Sequence, residues 1–306
     1  MQKAPPTPKG FRDILPDAAG VRRQVINQIA DVLEKEGFEP IETPTIEFAE
    51  TLTGKYGEEE KLIYKFTDRG ERELALRYDL TVPLARFIAS NQQLMRNGPF
   101  RRYQIGQVFR GENPQHGRYR EFTQFDFDTV GSDSLEEDAK IIATAIKAVR
   151  SLGLTSASMA INHRNYFKDV PPAVVRAWDK YHKVGEVGVI EELVSGGMPK
   201  EEARKSVDLL NRPGKSDEFE QLRSKLESHE LEFGKHFFFD RTLARGLDYY
   251  TGNIFELKPT GKPGELSIGA GGRYDNLIGM FAGKQIPAVG FSFGIDRLIE
   301  SLNAQD

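Results

Sequence analysis

Two strand-like runs joined by a polar loop place the strongest constraint on the fold of this 306-residue chain. Arg101 to Phe109 and Arg120 to Val130 are rich in aromatic residues, which alternate with polar side chains over much of each run. The loop between the two runs contains Gly111, Pro114 and Gly117, which are typical of a chain reversal. The pattern therefore predicts a hairpin whose apolar residues anchor the loop on a buried sheet.

The segments around this hairpin alternate between helical and strand patterns, which predicts an α+β fold. Apolar residues repeat at helical spacing from Val21 to Glu36, and the pattern stops at Gly37. Pro40 and Pro44 then favour an extended edge or interface strand, because proline cannot donate to a central ladder. Further helices are expected from Thr81, over 135–152 and from Ile295, and further strands over 62–66, 73–77, 156–161, 236–240, 249–257 and 288–293. This order indicates a mixed sheet with helices packed on it instead of a regular βαβ repeat.

The middle of the chain differs in composition from its two ends. From 163 to 235, charged helical segments are separated by breaks at Pro171-Pro172, Gly196-Gly197 and Pro213-Gly214. We interpret this stretch as a helical insertion subdomain. It would divide the core into a first part, residues 1–162, and a second part, residues 236–306.

The composition argues against several functional classes. The chain has no cysteine, which removes disulfides, thiolate metal sites and cysteine nucleophiles and fits a cytoplasmic location. The five histidines lack chelating spacing, so no metal site is predicted. No apolar stretch approaches ~18 residues, and the first sixteen residues lack a signal-peptide core, so the chain is expected to be neither secreted nor membrane-bound. The net charge of -4 argues against indiscriminate coating of nucleic acid, so any phosphate binding must be local.

Two glycine-containing runs resemble nucleotide-binding motifs only superficially. Gly214-Lys215-Ser216 matches the end of a P-loop, but Leu209 stands where the first glycine is required. The run from Gly269 to Gly272 lacks the strand-to-helix context of a dinucleotide fingerprint. Neither run is therefore interpreted as a phosphate-binding loop.

The central hairpin carries the residues best suited to chemistry. Arg110 ends the first run, and Arg118 and Arg120 begin the second, so a hairpin would bring three guanidiniums together. Alternation places three polar residues on one face of the second run: Gln124, Asp126 and Asp128. A cationic rim beside an acidic, amide-bearing floor could hold a polyphosphate next to an ammonium group. On composition alone, a solvated charged hairpin is the alternative.

Two later segments combine arginine with glycine and tyrosine. Arg245 to Gly252 contains two adjacent tyrosines, and Gly271 to Asp275 repeats the chemistry with one. Buried hydroxyls need partners, and an arginine is hard to bury without an anion. The alternatives are a strand with an aromatic core face for the first segment and a surface Arg–Asp pair for the second.

Together these segments resemble the histidine-tRNA ligase family, and the resemblance covers essentially the whole chain. Three of them are similar to motifs shared by class II aminoacyl-tRNA synthetases: Gly37 to Pro44, Phe109-Arg110-Gly111-Glu112, and Gly290 to Arg297. Arg245 to Gly252 and Gly271 to Asp275 resemble the two histidine-specific signature peptides. Leu76 to Thr81 resembles the amino-acid-binding loop, with aspartate in place of glutamate.

The resemblance implies an antiparallel sheet flanked by helices and an enzyme that activates histidine with ATP and transfers it to tRNA(His). It also implies a homodimer formed through the first motif, and Mg²⁺ as the ion that accompanies ATP. The implied catalytic residues are Arg110 and Arg245. The implied ATP-binding residues are Arg110, Glu112, Arg118 and Arg297. The implied histidine-binding residues are Asp79, Thr81, Gln124, Asp128, Arg245, Tyr250 and Tyr274.

The sequence departs from the family pattern at its end. The family usually continues past the third motif into an anticodon-binding α/β domain of about 100 residues, whereas this sequence stops at Asp306. That C-terminal domain is therefore expected to be absent. The alternative function is that of a short, non-catalytic paralogue, the regulatory subunit of ATP phosphoribosyltransferase in histidine biosynthesis. Four arginines favour the enzyme, because a paralogue released from adenylation would not need them together: Arg110, Arg118, Arg245 and Arg297.

Overall fold

A computed structural model describes residues 5–114, 117–210, 217–244 and 249–304. The helices within these ranges are α1 (Pro16–Lys35), α2 (Ala49–Leu52), α3 (Thr81–Ser90), α4 (Leu135–Ser151), α5 (Pro172–Trp178), α6 (Tyr181–Ser195), α7 (Lys200–Leu210), α8 (Asp217–Ser228), α9 (Gly279–Ala282) and α10 (Ile295–Asn303). The strands are β1 (Glu39–Pro40), β2 (Ile46–Phe48), β3 (Lys65–Thr67), β4 (Glu73–Leu76), β5 (Phe100–Phe109), β6 (Glu121–Val130), β7 (Ser158–His163), β8 (Phe237–Phe239), β9 (Asn253–Lys258), β10 (Gly269–Arg273) and β11 (Ala288–Gly294).

The first helix illustrates how local sequence sets the bounds of an element. Helix α1 begins at Pro16 instead of the predicted Val21, because the fixed φ of proline suits the first turn of a helix. Its apolar stripe buries Val25, Ile29 and Leu33. The helix ends before Gly37, which adopts a φ of 85° that other residues rarely reach.

Most of the strands form one large sheet with the order β1-β5-β6-β11-β10-β9-β7-β8. The outer pairs β1–β5 and β7–β8 are parallel, and the other neighbours are antiparallel. The predicted central hairpin is confirmed, since β5 pairs with β6 from Phe100↔Val130 to Phe109↔Glu121. Pro40 lies in the edge strand β1, as proline chemistry predicts. The α+β class is confirmed: a mainly antiparallel sheet with helices packed against it.

The two faces of this sheet differ in chemistry because side chains alternate along each strand. One face is aromatic and packs in a core with α1, α4, α8 and α10. Its buried rings are those of Tyr103, Phe125, Phe127, Phe255, Phe291 and Phe293. The other face carries the polar residues of the same strands, which are Arg102, Gln104, Gln124, Asp126, Asp128, Glu256 and Ser292. The aromatic face stabilises the sheet, which leaves the polar face available for a site.

A second, three-stranded sheet has the order β2-β4-β3. It contains the predicted hairpin around Gly70, in which β3 pairs antiparallel with β4. Between β7 and β8 the chain forms α5 to α8, in the stretch interpreted as a helical insertion. The boundaries 1–162, 163–235 and 236–306 stay predictions. Throughout the described ranges, each helix is either too short or too polar to cross a bilayer.

Candidate active site

A cavity of about 410 Å³ lies on the polar face of the large sheet. Its size is within the range of small-molecule sites. Ten of the residues predicted from sequence line it: Asp79, Thr81, Arg110, Glu112, Arg118, Gln124, Asp128, Tyr250, Tyr274 and Arg297. The eleventh, Arg245, lies outside the described residues. Segments far apart in the sequence therefore meet at one place.

Arg110 is held in the cavity wall by aromatic rings and a backbone carbonyl. The Arg110 guanidinium lies 4.3 Å from the ring centroid of Tyr78 and 5.1 Å from that of Phe122. Its Nε donates to the Tyr78 carbonyl at 3.2 Å. No carboxylate of the described residues lies within ion-pair distance of Arg110. A half-buried guanidinium held in this way is a ready partner for an anion.

Two further arginines, Arg118 and Arg297, also line the cavity. Arg118 lies 3.6 Å from a carboxylate oxygen of Glu112, so the two predicted ATP-binding residues are neighbours. Arg297, in α10, donates to the carbonyls of Gly117 at 3.3 Å and Ser267 at 3.4 Å. These contacts position two more guanidiniums beside the cavity, where they could stabilise negative charge.

The cavity wall also contains acidic and amide side chains that are deeply buried. Asp79 Oδ1 accepts hydrogen bonds from the Tyr56 hydroxyl and the Val82 backbone N–H, both at 3.0 Å. Gln124 Nε2 donates to Ser292 Oγ at 2.8 Å. Asp79 Oδ2 and Gln124 Oε1 are buried without a hydrogen-bond partner among the described residues. Burial raises the pKa of the Asp79 carboxyl. These unsatisfied acceptors suit a ligand that carries N–H donors.

A buried ion pair holds Asp128 within the sheet. Arg102 Nη2 lies 2.6 Å from Asp128 Oδ2, and the two residues are register partners on β5 and β6. The Tyr274 hydroxyl donates to Asp128 Oδ1. Burial raises the pKa of Asp128, and the Arg102 charge opposes that rise. Tyr274 and Asp128 therefore act as one hydrogen-bonded unit in the cavity wall.

Several residues that line the cavity were not among the predicted site residues. Asp126 shared the alternating face with Gln124 and Asp128, so its position was signalled by the sequence. Tyr249 also had a signal, since it adjoins Tyr250, and their ring centroids lie 4.9 Å apart. Tyr119 lies in the predicted central hairpin, Asp179 in the predicted helical insertion and Glu256 in the predicted strand over 249–257, but their side chains were not singled out. Glu59 comes from a segment for which no element was predicted.

A mainly antiparallel sheet whose polar face sets buried carboxylates beside fixed arginines is the catalytic fold of class II aminoacyl-tRNA synthetases. The sequence model of the histidyl-tRNA synthetase family matches residues 10–298, and the chain belongs to this family. It is 43% identical over 324 aligned residues to the histidine-tRNA ligase of Aeropyrum pernix, which covers 97% of this chain and 74% of that protein.

Solved structures give the same result. A histidyl-tRNA synthetase from Nostoc superposes with a TM-score of 0.82 at 30% identity, over 99% of this chain and 76% of that one. A protein described as an ATP phosphoribosyltransferase regulatory subunit/histidyl-tRNA synthetase from Bacillus halodurans superposes with a TM-score of 0.79 at 28% identity. That alignment covers 97% of this chain and 83% of the other. The same fold therefore occurs in proteins described as histidyl-tRNA synthetases and in one described also as a regulatory subunit. The side chains of the site must distinguish the enzyme from the regulator.

Proposed function

We propose that this protein activates histidine with ATP and transfers the histidyl group to the 3' end of tRNA(His). The observation that carries the proposal is that one cavity is lined both by the guanidiniums of Arg110, Arg118 and Arg297 and by the buried carboxylates of Asp79 and Asp128. The phosphates of ATP need the arginines, and the ammonium group of an amino acid needs the carboxylates.

Activation joins the histidine carboxylate to the α-phosphorus of ATP, breaks the bond between the α- and β-phosphates, and releases pyrophosphate. In the second step the terminal ribose hydroxyl of tRNA attacks the carbonyl carbon, loses its proton, and displaces AMP. Phosphoryl transfer is catalysed mainly by positioning and by electrostatic stabilisation. Arg110 would stabilise the α-phosphate, and Arg245 would serve the same role by resemblance.

The remaining cationic residues would hold the rest of ATP. Arg118 and Arg297 would bind the terminal phosphates, while Glu112 would contact the adenine region. Mg²⁺ usually binds through substrate phosphates and one or two carboxylates instead of a closed protein cage. The described residues contain no cluster of three potential metal ligands, but the Glu256 carboxylate lines the cavity. A single carboxylate fits Mg²⁺ carried on ATP, where the ion would neutralise phosphate charge.

The buried carboxylates and the Gln124 amide would bind histidine. Asp79 and Gln124, with their buried unpaired oxygens, would accept from the ammonium group and its neighbours, and Thr81 stands beside them at the start of α3. Tyr250 and the Tyr274–Asp128 unit would read the imidazole nitrogens. A pocket that hydrogen-bonds its substrate rejects analogues without those groups far better than an apolar pocket does.

Histidine-dependent exchange of pyrophosphate into ATP tests this function. Robust exchange that disappears when histidine is left out supports the enzyme. Histidine binding without exchange would instead support a regulatory role in histidine biosynthesis. The three cavity arginines favour the enzyme, because a sensor of histidine alone needs only the carboxylates and the amide.

Arg118→Ala is expected to raise the KM for ATP about tenfold, equivalent to ~1.4 kcal/mol of binding, with little change in histidine affinity. The reason is that Arg118 would contact only the phosphates. Steady-state pyrophosphate exchange at varied ATP concentrations measures the effect. Arg72→Ala, which removes an exposed arginine outside the cavity, serves as the control and should leave KM unchanged. An unaltered KM in Arg118→Ala would remove this residue from the ATP site.

We also propose a homodimer, and an exposed apolar face of the small sheet supports it. Strand pairing puts five apolar side chains on that face: Ile46, Phe48, Phe66, Leu74 and Leu76. Phe48 is 51% exposed and Ile46 45% exposed. An apolar patch of this kind marks an interaction surface. It follows directly on the segment from Gly37 to Pro44 that resembles the interface motif of the family.

Phe48→Asp is therefore expected to convert the protein from a dimer to a monomer at micromolar concentration, since a two-fold axis would bury the introduced charge twice. Light scattering would show the mass fall to about that of one 34.5 kDa chain. Val187→Asp is the matched control, because Val187 is 67% exposed on α6 and lies outside the small sheet. A wild-type monomer with full exchange activity would contradict the dimer.

We further propose that the protein works in the cytoplasm. The transfer of histidine to tRNA takes place where translation occurs, and a chain without cysteine fits a reducing compartment.

A further inference from the structure

Three buried carboxylates meet in the cavity, and their charge is only partly balanced. Asp79, Asp126 and Asp128 are each no more than 3% exposed. Asp128 is paired with Arg102. Asp79 accepts from the neutral donors Tyr56 and Val82, and the Arg110 charge also acts on it without forming an ion pair among the described residues. One oxygen of Asp126, Oδ1, is buried without a hydrogen-bond partner among the described residues. Burying several unpaired carboxylates together is costly, so one of them is expected to hold a proton in the empty site.

The neighbours of Asp126 come from every element packed around it. On β6 it stands between Gln124 and Asp128, and across the sheet it is the register partner of Gln104 on β5 and Ser292 on β11. The charged groups that act on it are the cations Arg102 and Arg77 and the anions Asp128 and Asp79.

Both cations have other partners. Arg102 is paired with Asp128, and Arg77 donates to the carbonyls of Thr43 and Gln107. Neither is therefore dedicated to neutralising Asp126.

We propose that Asp126 exchanges a proton for the ammonium group of the bound amino acid: it is protonated in the empty cavity, and it releases that proton to solvent when the substrate cation enters. This inference rests on the proposed function, since it concerns the same histidine site. Asp126 thereby makes histidine binding sensitive to pH. The exchange keeps the charge of the buried site nearly constant.

The acidity of Asp126 supports this mechanism. Burial raises its pKa to about 7, Arg102 lowers it and Asp128 raises it, while a hydrogen bond from Ser292 lowers it. A nearby ammonium favours the carboxylate and so lowers the pKa in the complex. Because the free protein then binds more protons than the complex does, histidine affinity must fall as the pH drops below about 7.

Titration calorimetry of histidine binding in buffers of different ionisation enthalpy tests the proposal. In the wild type, the observed enthalpy should vary with the buffer and report proton release near pH 7. In Asp126→Asn, the part of the buffer dependence that comes from the Asp126 proton should disappear. Histidine titrates too, but its own proton changes in solution are common to both proteins. The difference between the two proteins therefore isolates Asp126.

A second variant tests the direction of the effect. Ser292→Ala removes the donor that favours the Asp126 carboxylate, so the pH below which affinity declines should move upward. Below that pH, the wild-type Kd should rise by up to about tenfold per pH unit, which is the limit for one linked proton. Equal proton release in the wild type and Asp126→Asn would overturn the proposal while leaving histidine binding intact. No histidine binding by the wild type would instead overturn the proposed function.

Discussion

Arg110→Ala is expected to slow histidine adenylation by about 10²–10³-fold, while histidine affinity changes much less. The Arg110 guanidinium packs against Tyr78 and Phe122 in the cavity wall. Its charge would be most useful when the α-phosphorus gains negative charge, and losing one preorganised donor of this kind typically costs about 2.7–4 kcal/mol. Single-turnover formation of pyrophosphate measures the rate, and calorimetry measures the histidine affinity.

Arg110→Lys is the informative companion variant. It keeps the positive charge but loses the planar fork and its stacking on the two rings, so it should recover only part of the rate. Both variants should unfold at nearly the wild-type temperature, which separates a catalytic defect from misfolding. Equal losses in rate and in histidine affinity would show that Arg110 acts mainly in substrate binding.

The site residues that lie on the central hairpin were predictable from local sequence. A strand has a strict period of two, so Gln124, Asp126 and Asp128 had to share a face once β6 was recognised. The positions of Asp79 and Arg297 were different. They lie before α3 and in α10, and their approach to the hairpin depends on the order of strands in the sheet. Resemblance to a family supplied that information, because periodicity alone does not.

Strand β10 was missed, and its glycines explain why. Gly269, Gly271 and Gly272 lack the branched and aromatic side chains that indicate a strand. In the sheet, a Cβ on Gly271 would lie 2.1 Å from the Gly290 carbonyl oxygen, and one on Gly272 would lie 2.7 Å from the Tyr250 ring. The close approach of β10 to its neighbours requires glycine, so the feature that hides the strand also permits the cavity beside Tyr250.

The alternative of a surface Arg–Asp pair does not describe the second segment, because Arg273 and Asp275 lie 3.2 Å apart but Arg273 is buried. Alternation sends Tyr274 into the cavity and Arg273 to the opposite side of β10, where it is 7% exposed. There its Nε donates to Asp138 Oδ2 at 3.0 Å, and Nη1 donates to the Ser132 carbonyl at 3.0 Å. Asp138 lies on α4 and is fully buried. The segment that resembles the second histidine signature therefore joins a site residue to a structural ion pair.

Asp138→Ala is expected to lower the free energy of unfolding by about 3–5 kcal/mol, because it would leave Arg273 as a buried charge without its main partner. Asp138 also accepts from Asn253 Nδ2 at 2.9 Å, so the substitution loosens β9 as well as β10. Chemical denaturation followed by circular dichroism gives the change in unfolding free energy.

Glu136→Ala is the matched control on the same helix, since its ion pairs with Lys225 and His229 are half exposed and should contribute at most about 1 kcal/mol. If both substitutions cost the same, the Arg273–Asp138 pair does not hold β10 against α4. The expected result is that only Asp138→Ala loses stability, and that its remaining folded protein has a displaced Tyr274 and a lower histidine affinity. That result would show that the Arg273–Asp138 pair, on the face of the sheet opposite to the cavity, holds the histidine pocket in place.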